Sequence, residues 1–296
     1  MIPAMVLAAG LGTRLRPLGD LCPKALMPVG DRPALAHLLG RLRAAGAERI
    51  VVNAHHRADD IQRFVRGDGG GVVVSEEALL LGTAGGVAKA GPLLGAGDVL
   101  VWNADILADV DASALVAQHR SNGADATLVV EPRAPGEGPV GLDVHGRVVR
   151  LRRERFGDEH RGGEFLGVSV LGASLRGSLP ERGCLVADAW IPRLRAGARL
   201  GAFEHRGAWH DIGTVASYLE ANLSWLRARG LTRWIGPGAR VEGGVELEQA
   251  VLGAGAVVAG AGVLGRCVVW PNARAAAPMT ACVVAPEPVG RVDVAG

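Results

Sequence analysis

Lysine is nearly missing from this chain. Of 32 lysine and arginine residues only Lys24 and Lys89 are lysines. Arginine serves wherever a planar, delocalised cation suffices, so a retained lysine draws attention as a place for a compact, flexible ammonium. Lys24 reads that way because of the motif around it, whereas Lys89 reads as chance retention. Cysteine is scarce as well. Cys22, Cys184, Cys267 and Cys282 show no CxxC spacing and read as ordinary reduced thiols of a cytoplasmic protein. No apolar run reaches the roughly 18 residues of a membrane helix, and the N-terminus enters a strand pattern with no basic leader. Excess charge is missing too. The formal net charge is +2 and the basic residues are scattered, which gives no electrostatic case for nucleic acid or an anionic membrane.

What the chain does have is apolar content, 49% of its 296 residues, enough for one large domain or two unequal ones. Short apolar runs alternate with amphipathic stretches. "AMVLAA", "RIVVN" (49–53), "GVVVSEE" (71–77), "DVLVWN" (98–103) and "ATLVVE" (126–131) read as strands. A helix opened by Pro33 with Leu35, Leu38, Leu39 and Leu42 on one face, "ADDIQRFV", residues 82–94 and residues 112–120 read as helices between them. This alternation predicts an α/β, Rossmann-like, mostly parallel sheet with helices on both faces. Between 138 and 172 the pattern changes to strands, two of them joined at His145-Gly146. Residues 185–226 hold a helix, the segment "WHDIGT" and a final helix, and 227–234 read as a linker.

The tail repeats. Val245, Val251, Val257, Val263 and Val269 are spaced by six, and Ile235, Val241 and Leu247 form a second set on that period. A six-residue apolar repeat among small residues predicts a short left-handed parallel β-helix. The expected domains are therefore 1–228 and 235–285.

The candidate chemistry begins at "LAAGLGTRLRPL" (7–18). Gly10-Leu11-Gly12 after a strand suggests a dinucleotide fingerprint, but the third glycine would fall at Leu15, and the GK[ST] of a P-loop is absent. What remains is a glycine-rich strand-end loop whose N–H groups suit phosphate oxygens, with Arg14 and Lys24 to neutralise phosphate charge.

The full string "LAAGLGTRLRPL…PKALMPVGDRP" resembles the signature of the sugar-1-phosphate nucleotidylyltransferases, LAAGxGTRLxPLTxxxPKxLxPxxxxP. "VNAHHRADDI" (52–61), "LGTAGGV" (81–87), "VWNADIL" (101–107) and "GAWHDIGTVASYLEAN" (207–222) are similar to further family segments in the same order. The resemblance implies attack of a sugar 1-phosphate on the α-phosphorus of an NTP, with pyrophosphate leaving. The nucleophile has a second pKa of about 6, so no general base is needed, and the protein must position and neutralise charge. It implies Mg²⁺ as cofactor, Asp105 and Asp211 as its ligands, and Arg14, Lys24 and Asp105 as the catalytic set. It places the nucleotide on Leu7, Ala8, Ala9, Gly10, Gly12, Thr13, Gly82, Thr83, Ala84 and Gly85, and the sugar at Gly141 and Gly167. Gly82–Gly86 also reads as a plain helix-opening turn, and Gly141 and Gly167 also read as strand bulges. His55 and His56 point to opposite sides and read as structural, and His210 reads as a neighbour that shapes the site.

The chain departs from the family pattern at Ala104, usually glycine, and at Arg153-Glu154-Arg155, where many relatives carry Glu-Lys-Pro. A non-catalytic, regulatory paralogue is the competing expectation, and retention of Arg14, Lys24, Asp105 and Asp211 favours the enzyme. A hexapeptide acyltransferase needs a histidine on its β-helix, yet all eight histidines lie at or before His210. "LGTAG" with a β-helix leans toward a mannose-1-phosphate guanylyltransferase-like enzyme. "VNAHH" and "TAGGV" lean toward an N-acetylmuramate 1-phosphate uridylyltransferase-like one. The expected partners are an NTP and a sugar 1-phosphate, with a homo-oligomer formed through the β-helix.

Overall fold

Four of the apolar runs form adjacent parallel strands in the computed structural model, which describes residues 2–294. Contacts divide the chain into two compact units. One comprises Met1–Gly10 and Leu38–Trp209, the other Leu11–His37 and His210–Gly296. The grouping of 11–37 and 210–228 with the tail was not anticipated from the sequence.

In the first unit, β1 (Ala4–Leu7), β2 (Ile50–Ala54), β3 (Val72–Glu76) and β4 (Val99–Asn103) lie in the order β3-β2-β1-β4. Leu7 is in register with Asn53 on one side and Asn103 on the other. The strand order reverses beside β1, so the crevice outside the carboxyl ends of β1 and β4 is the usual ligand position in such a sheet. Helices α1 (Ala58–Asp68) and α2 (Gly82–Lys89) join these strands. Helix α3 (Ala112–Asn122) begins at Asp111, whose carboxylate accepts from the Ser113 and Ala114 amides at 3.0 and 2.9 Å.

Strand β5 (Ala126–Arg133) and the hairpin of β6 (Val140–Leu142) and β7 (Val148–Leu151) follow, with Gly146 turning the hairpin as expected. The long β8 (Arg161–Leu171) runs antiparallel to β4, β5 and β6, and β9 (Leu200–Glu204) extends β5 in parallel. The sheet is thus mixed, with its parallel half carrying the strand ends of interest. Met5, Val51, Val101, Leu128 and Trp190 are buried in its core, and Trp190 meets Phe165 edge to face with centroids 5.4 Å apart.

In the second unit, Pro28–Val29 and Arg32–Pro33 make a tight antiparallel hairpin, so the following helix starts at Ala34, one residue past Pro33. Helix α4 (Val215–Arg227) opens with a reciprocal cap between Thr214 and Ser217. The tail folds into β10 (Arg233–Ile235), β11 (Gly244–Leu252), β12 (Val257–Val269), β13 (Arg274–Val284) and β14 (Arg291–Asp293). The first four pair in parallel and β14 closes the sheet antiparallel.

The parallel strands of the tail advance by slightly less than three hexads per pass. Val251 lies beside Val268 and Val257 beside Arg274, an advance of 17 residues, and Val268 lies beside Val283 after 15. Neither advance is a multiple of six, so a six-spaced valine shifts to a neighbouring column on each pass. Val251, Val257 and Val269 are buried, whereas Val245 and Val263 are only half-buried. Ile235 and Val241 of the second set are exposed.

Candidate active site

The signature loop leaves β1 at Leu7, and its residues 8–10 belong to the first unit. The Ala8 amide donates to Asn53 Oδ1 at 2.7 Å, which fixes the first loop residue against the end of β2. Ala9 is buried beneath it, and Gly10 is exposed, with no atom within 4 Å of the place a Cβ would take. On the other side of β1, the Ala104 amide donates to Leu7 O at 3.0 Å. Ala104 is buried, so its methyl sits where the family usually has no side chain without opening the strand ends. Asp105 follows directly, held by a turn in which Trp102 Nε1 donates to Ile106 O at 3.0 Å.

In the second unit, Gly12 adopts φ +62°, a left-handed conformation that glycine takes freely, and opens a single turn over Thr13–Leu15. Leu15, at the position a dinucleotide fingerprint reserves for glycine, is a fully buried core side chain. Arg14 is exposed. Lys24 Nζ forms an ion pair with Asp211 Oδ1 at 3.1 Å, with Lys24 largely covered and Asp211 part open. Gly213 completes the group, because a Cβ there would stand 2.9 Å from both Arg14 Nη2 and Asp211 Oδ1. Arg14 and Asp211 therefore pack directly against Gly213, and Lys24 joins them through its ion pair with Asp211.

Carboxylate oxygens are the donor type that a hard divalent cation takes. Among the described residues no group of three or more His, Cys, Asp or Glu is arranged to hold a metal. Magnesium does not need one, since it binds through one or two carboxylates and substrate phosphates. Asp105 and Asp211 are the carboxylates expected in that role, and both Asp211 oxygens lie against Gly213.

The other glycines of the expected site are closely packed. Cβ atoms on Gly82 and Gly85 would fall 2.4 Å from the carbonyls of Gly183 and Glu181, and one on Gly86 would meet Asn53 Nδ2 at 2.6 Å. Ala84 is fully buried and its amide donates to Gly183 O, while Thr83 Oγ1 accepts from the Leu185 amide at 2.8 Å. Gly141 abuts Arg150 and Glu159, and Gly167 sits at a break in the β8–β5 register against Asn103. Each of these glycines thus has a packing reason to lack a side chain.

His55 Nδ1 hydrogen-bonds to Glu77 O at 2.8 Å, while His56 is exposed. Lys89 donates to Glu76 O. Burial holds the His210 imidazole below its ordinary pKa. Glu154 is bound by Arg195 at 2.8 and 2.9 Å, so one charge of the Arg153–Arg155 segment is already engaged within the first unit.

Three residues of consequence were not singled out from sequence: Asn53, Glu77 and Gly213. Asn53 lay inside the quoted "VNAHH". Gly213 lies inside "GAWHDIGTVASYLEAN", while nothing in the sequence distinguishes Glu77 from the exposed Glu76 beside it.

A phosphate-type loop at the strand-order reversal, in a chain that also carries a cationic pair and aspartates, defines a nucleotide-handling α/β enzyme. A family model described as nucleotidyl transferase matches residues 3–152. The chain is 31% identical over 280 residues to a mannose-1-phosphate guanylyltransferase of Mycobacterium tuberculosis, covering 90% of this chain and 75% of that protein. It is 30% identical to a probable mannose-1-phosphate guanylyltransferase 2 of Oryza sativa, covering 86% and 74%. A crystal structure of HddC from Yersinia pseudotuberculosis complexed with GMP-PN superposes with a TM-score of 0.64 at 23% identity, covering 76% of this chain and all of that one, a likeness of fold. The chain belongs to the nucleotidyl transferase family, among the sugar-1-phosphate nucleotidyltransferases. No helix of the described residues is long and apolar enough to cross a membrane.

Proposed function

We propose that this chain transfers a nucleotidyl group from an NTP to a sugar 1-phosphate, giving an NDP-sugar and pyrophosphate. The observation that carries the reading is the cluster in which Arg14 and Asp211 pack against Gly213 and Lys24 pairs with Asp211, together with a signature loop whose Gly10 leaves the backbone open. In this reading the amides of Gly10–Thr13 hold the NTP phosphates. Arg14 faces the departing pyrophosphate, and Lys24 leaves Asp211 for the α-phosphate, where negative charge builds in the transition state. The sugar phosphate is already ionised near neutral pH, so no residue is assigned as a base. Asp105 and Asp211 would hold Mg²⁺, which supplies neutralisation of the phosphate charges.

GTP with mannose 1-phosphate is the preferred pair, supported by the activity named for the relatives. UTP with N-acetylmuramate 1-phosphate or another hexose 1-phosphate is the alternative. The domain division at 228–235 and a left-handed β-helix tail serving a homo-oligomer remain part of this proposal, the β-helix supported by parallel strands that recur after 17 and then 15 residues. The test is a matrix of NTPs against sugar 1-phosphates with Mg²⁺, read by pyrophosphate release. The reading is overturned if no pair releases pyrophosphate above an Asp105→Ala control, an outcome that leaves the regulatory paralogue.

A further inference from the structure

A second polar system lies at the same sheet edge, and the reaction above does not use it. Asn53 is the penultimate residue of β2 and Glu77 follows β3; each is 2% exposed. Their side chains meet, Asn53 Nδ2 donating to Glu77 Oε1 at 2.6 Å. Each also reaches a backbone amide in a different loop. Asn53 Oδ1 accepts from Ala8 N at 2.7 Å, and Glu77 Oε2 accepts from Leu81 N at 3.1 Å. The chain of bonds therefore runs Ala8–Asn53–Glu77–Leu81 and ties the signature loop to the loop that opens α2. Gly86 keeps its surface flat, because a Cβ there would press on Asn53 Nδ2 at 2.6 Å and Glu77 Oε1 at 2.8 Å. The Glu77 carbonyl is itself fixed by His55 Nδ1, and its amide donates to Ala54 O at 2.7 Å.

Burying a carboxylate is costly, and the cost is tolerated only where its hydrogen bonds are well made. A leucine pair would fill this volume without that cost. Neutral packing, however, would leave the Ala8 and Leu81 amides without acceptors and both loops free to shift. A site that works by positioning loses rate when a loop moves by an ångström.

We propose that Asn53 and Glu77 are positioning residues for the nucleotide: a buried relay that sets the signature loop and the 81–86 loop at a fixed spacing, so that phosphates and base are gripped together. This rests on the nucleotidyl transfer proposed above. Neither side chain touches the reacting atoms. Their effect falls on nucleotide binding and spares the sugar phosphate.

The bond directions supply a discriminating test. In Glu77→Gln, one carboxylate oxygen becomes an NH₂ facing another donor. In Asn53→Asp, an amide NH₂ becomes an oxygen facing Glu77. Together the two changes restore every bond with the central one reversed. The new carboxylate at position 53 accepts from Ala8 N and from the new amide at position 77, whose oxygen accepts from Leu81 N. The measurements are calorimetric titration of GTP and UTP into the full chain with Mg²⁺, the KM of the sugar 1-phosphate, and the Tm of each free protein.

Each single variant is expected to weaken binding of the preferred NTP about tenfold, as expected for a lost hydrogen bond to a charged group. The sugar 1-phosphate KM should stay within about twofold, and the double variant should recover most of the NTP affinity. Unchanged NTP affinity in both single variants overturns the relay. So does a loss in the double variant equal to the sum of the two. Equal losses for NTP and sugar that track Tm also overturn it, since they mean a merely structural pair. Failure of the wild-type chain to bind any NTP instead overturns the nucleotidyl transfer reading on which the relay rests.

Discussion

Lys24 is one of two lysines in an arginine-rich chain, and it is the one paired with Asp211. An arginine here would bring a broader fork to a space bordered by a second guanidinium, that of Arg14 beside Gly213. Lys24→Ala is expected to lower turnover at least about 100-fold, roughly 2.7 kcal/mol of transition-state stabilisation, measured as pyrophosphate release at saturating substrates. Gly213→Ala tests this packing. Its methyl displaces the ends of Arg14 and Asp211, which are flexible, so the Tm should hold within a few degrees while kcat falls about tenfold or more. An unchanged kcat in this variant would remove Gly213 from the site. Lys24 was legible in the sequence because composition and motif agreed. Gly213 was not, because nothing in the string says which side chains a glycine separates.

At the scale of elements, the second half of the signature, "PKALMPVGDRP", has a structural explanation. The Pro28–Val29 hairpin is bound by α4: the Tyr218 hydroxyl donates to Pro28 O, and Asn222 Oδ1 accepts from the Gly30 amide at 2.9 Å. Asn222 Nδ2 donates in turn to Tyr218 O at 3.1 Å. Gly30 adopts φ +61°, and a Cβ on it would stand 2.1 Å from the Trp225 ring. Gly30→Ala is therefore expected to destabilise the protein by about 3 kcal/mol, combining overpacking with a left-handed backbone penalty. A denaturation midpoint equal to wild type would refute this. Asn222→Ala should cost about 2 kcal/mol, since a buried amide loses its acceptor. The segments at 28–33 and 218–225 are distant in sequence, and only the hairpin docking on the helix explains why the family pattern includes both.

For the whole molecule, the buried pair of Arg150 and Glu159 is expected to contribute to acid stability. Arg150 binds Glu159 through Nε and Nη2 at 2.7 and 2.9 Å, and its Nη1 reaches Gly138 O at 2.8 Å. The Arg150 guanidinium holds the Glu159 carboxyl down to about 2 from an ordinary 4.5, with the Gly136 amide adding to the effect. A depressed carboxylate stabilises the fold above its unfolded value and loses that contribution as pH falls from 4.5 through 2. Denaturation of wild type and Arg150→Met at pH 7, 5 and 3 should show a gap that is full at pH 7, nearly full at pH 5 and reduced at pH 3. A gap independent of pH would mean that the pair contributes by packing alone.

The sequence by itself determined the alternation of strands and helices, the reaction class implied by the signature, and the catalytic candidates Arg14, Lys24 and Asp105. These are local facts, written in periodicity and in short motifs. Only the tertiary structure decided the strand order that reverses at β1, the joining of 11–37 to 210–296, and the relay through Asn53 and Glu77. It also set the advance between the parallel strands of the tail, 17 residues and then 15, slightly short of three hexads. The physical reason is common to all four. Each depends on which distant backbone groups pair, and pairing is settled by burial and hydrogen bonding across the chain, which spacing along the sequence does not encode.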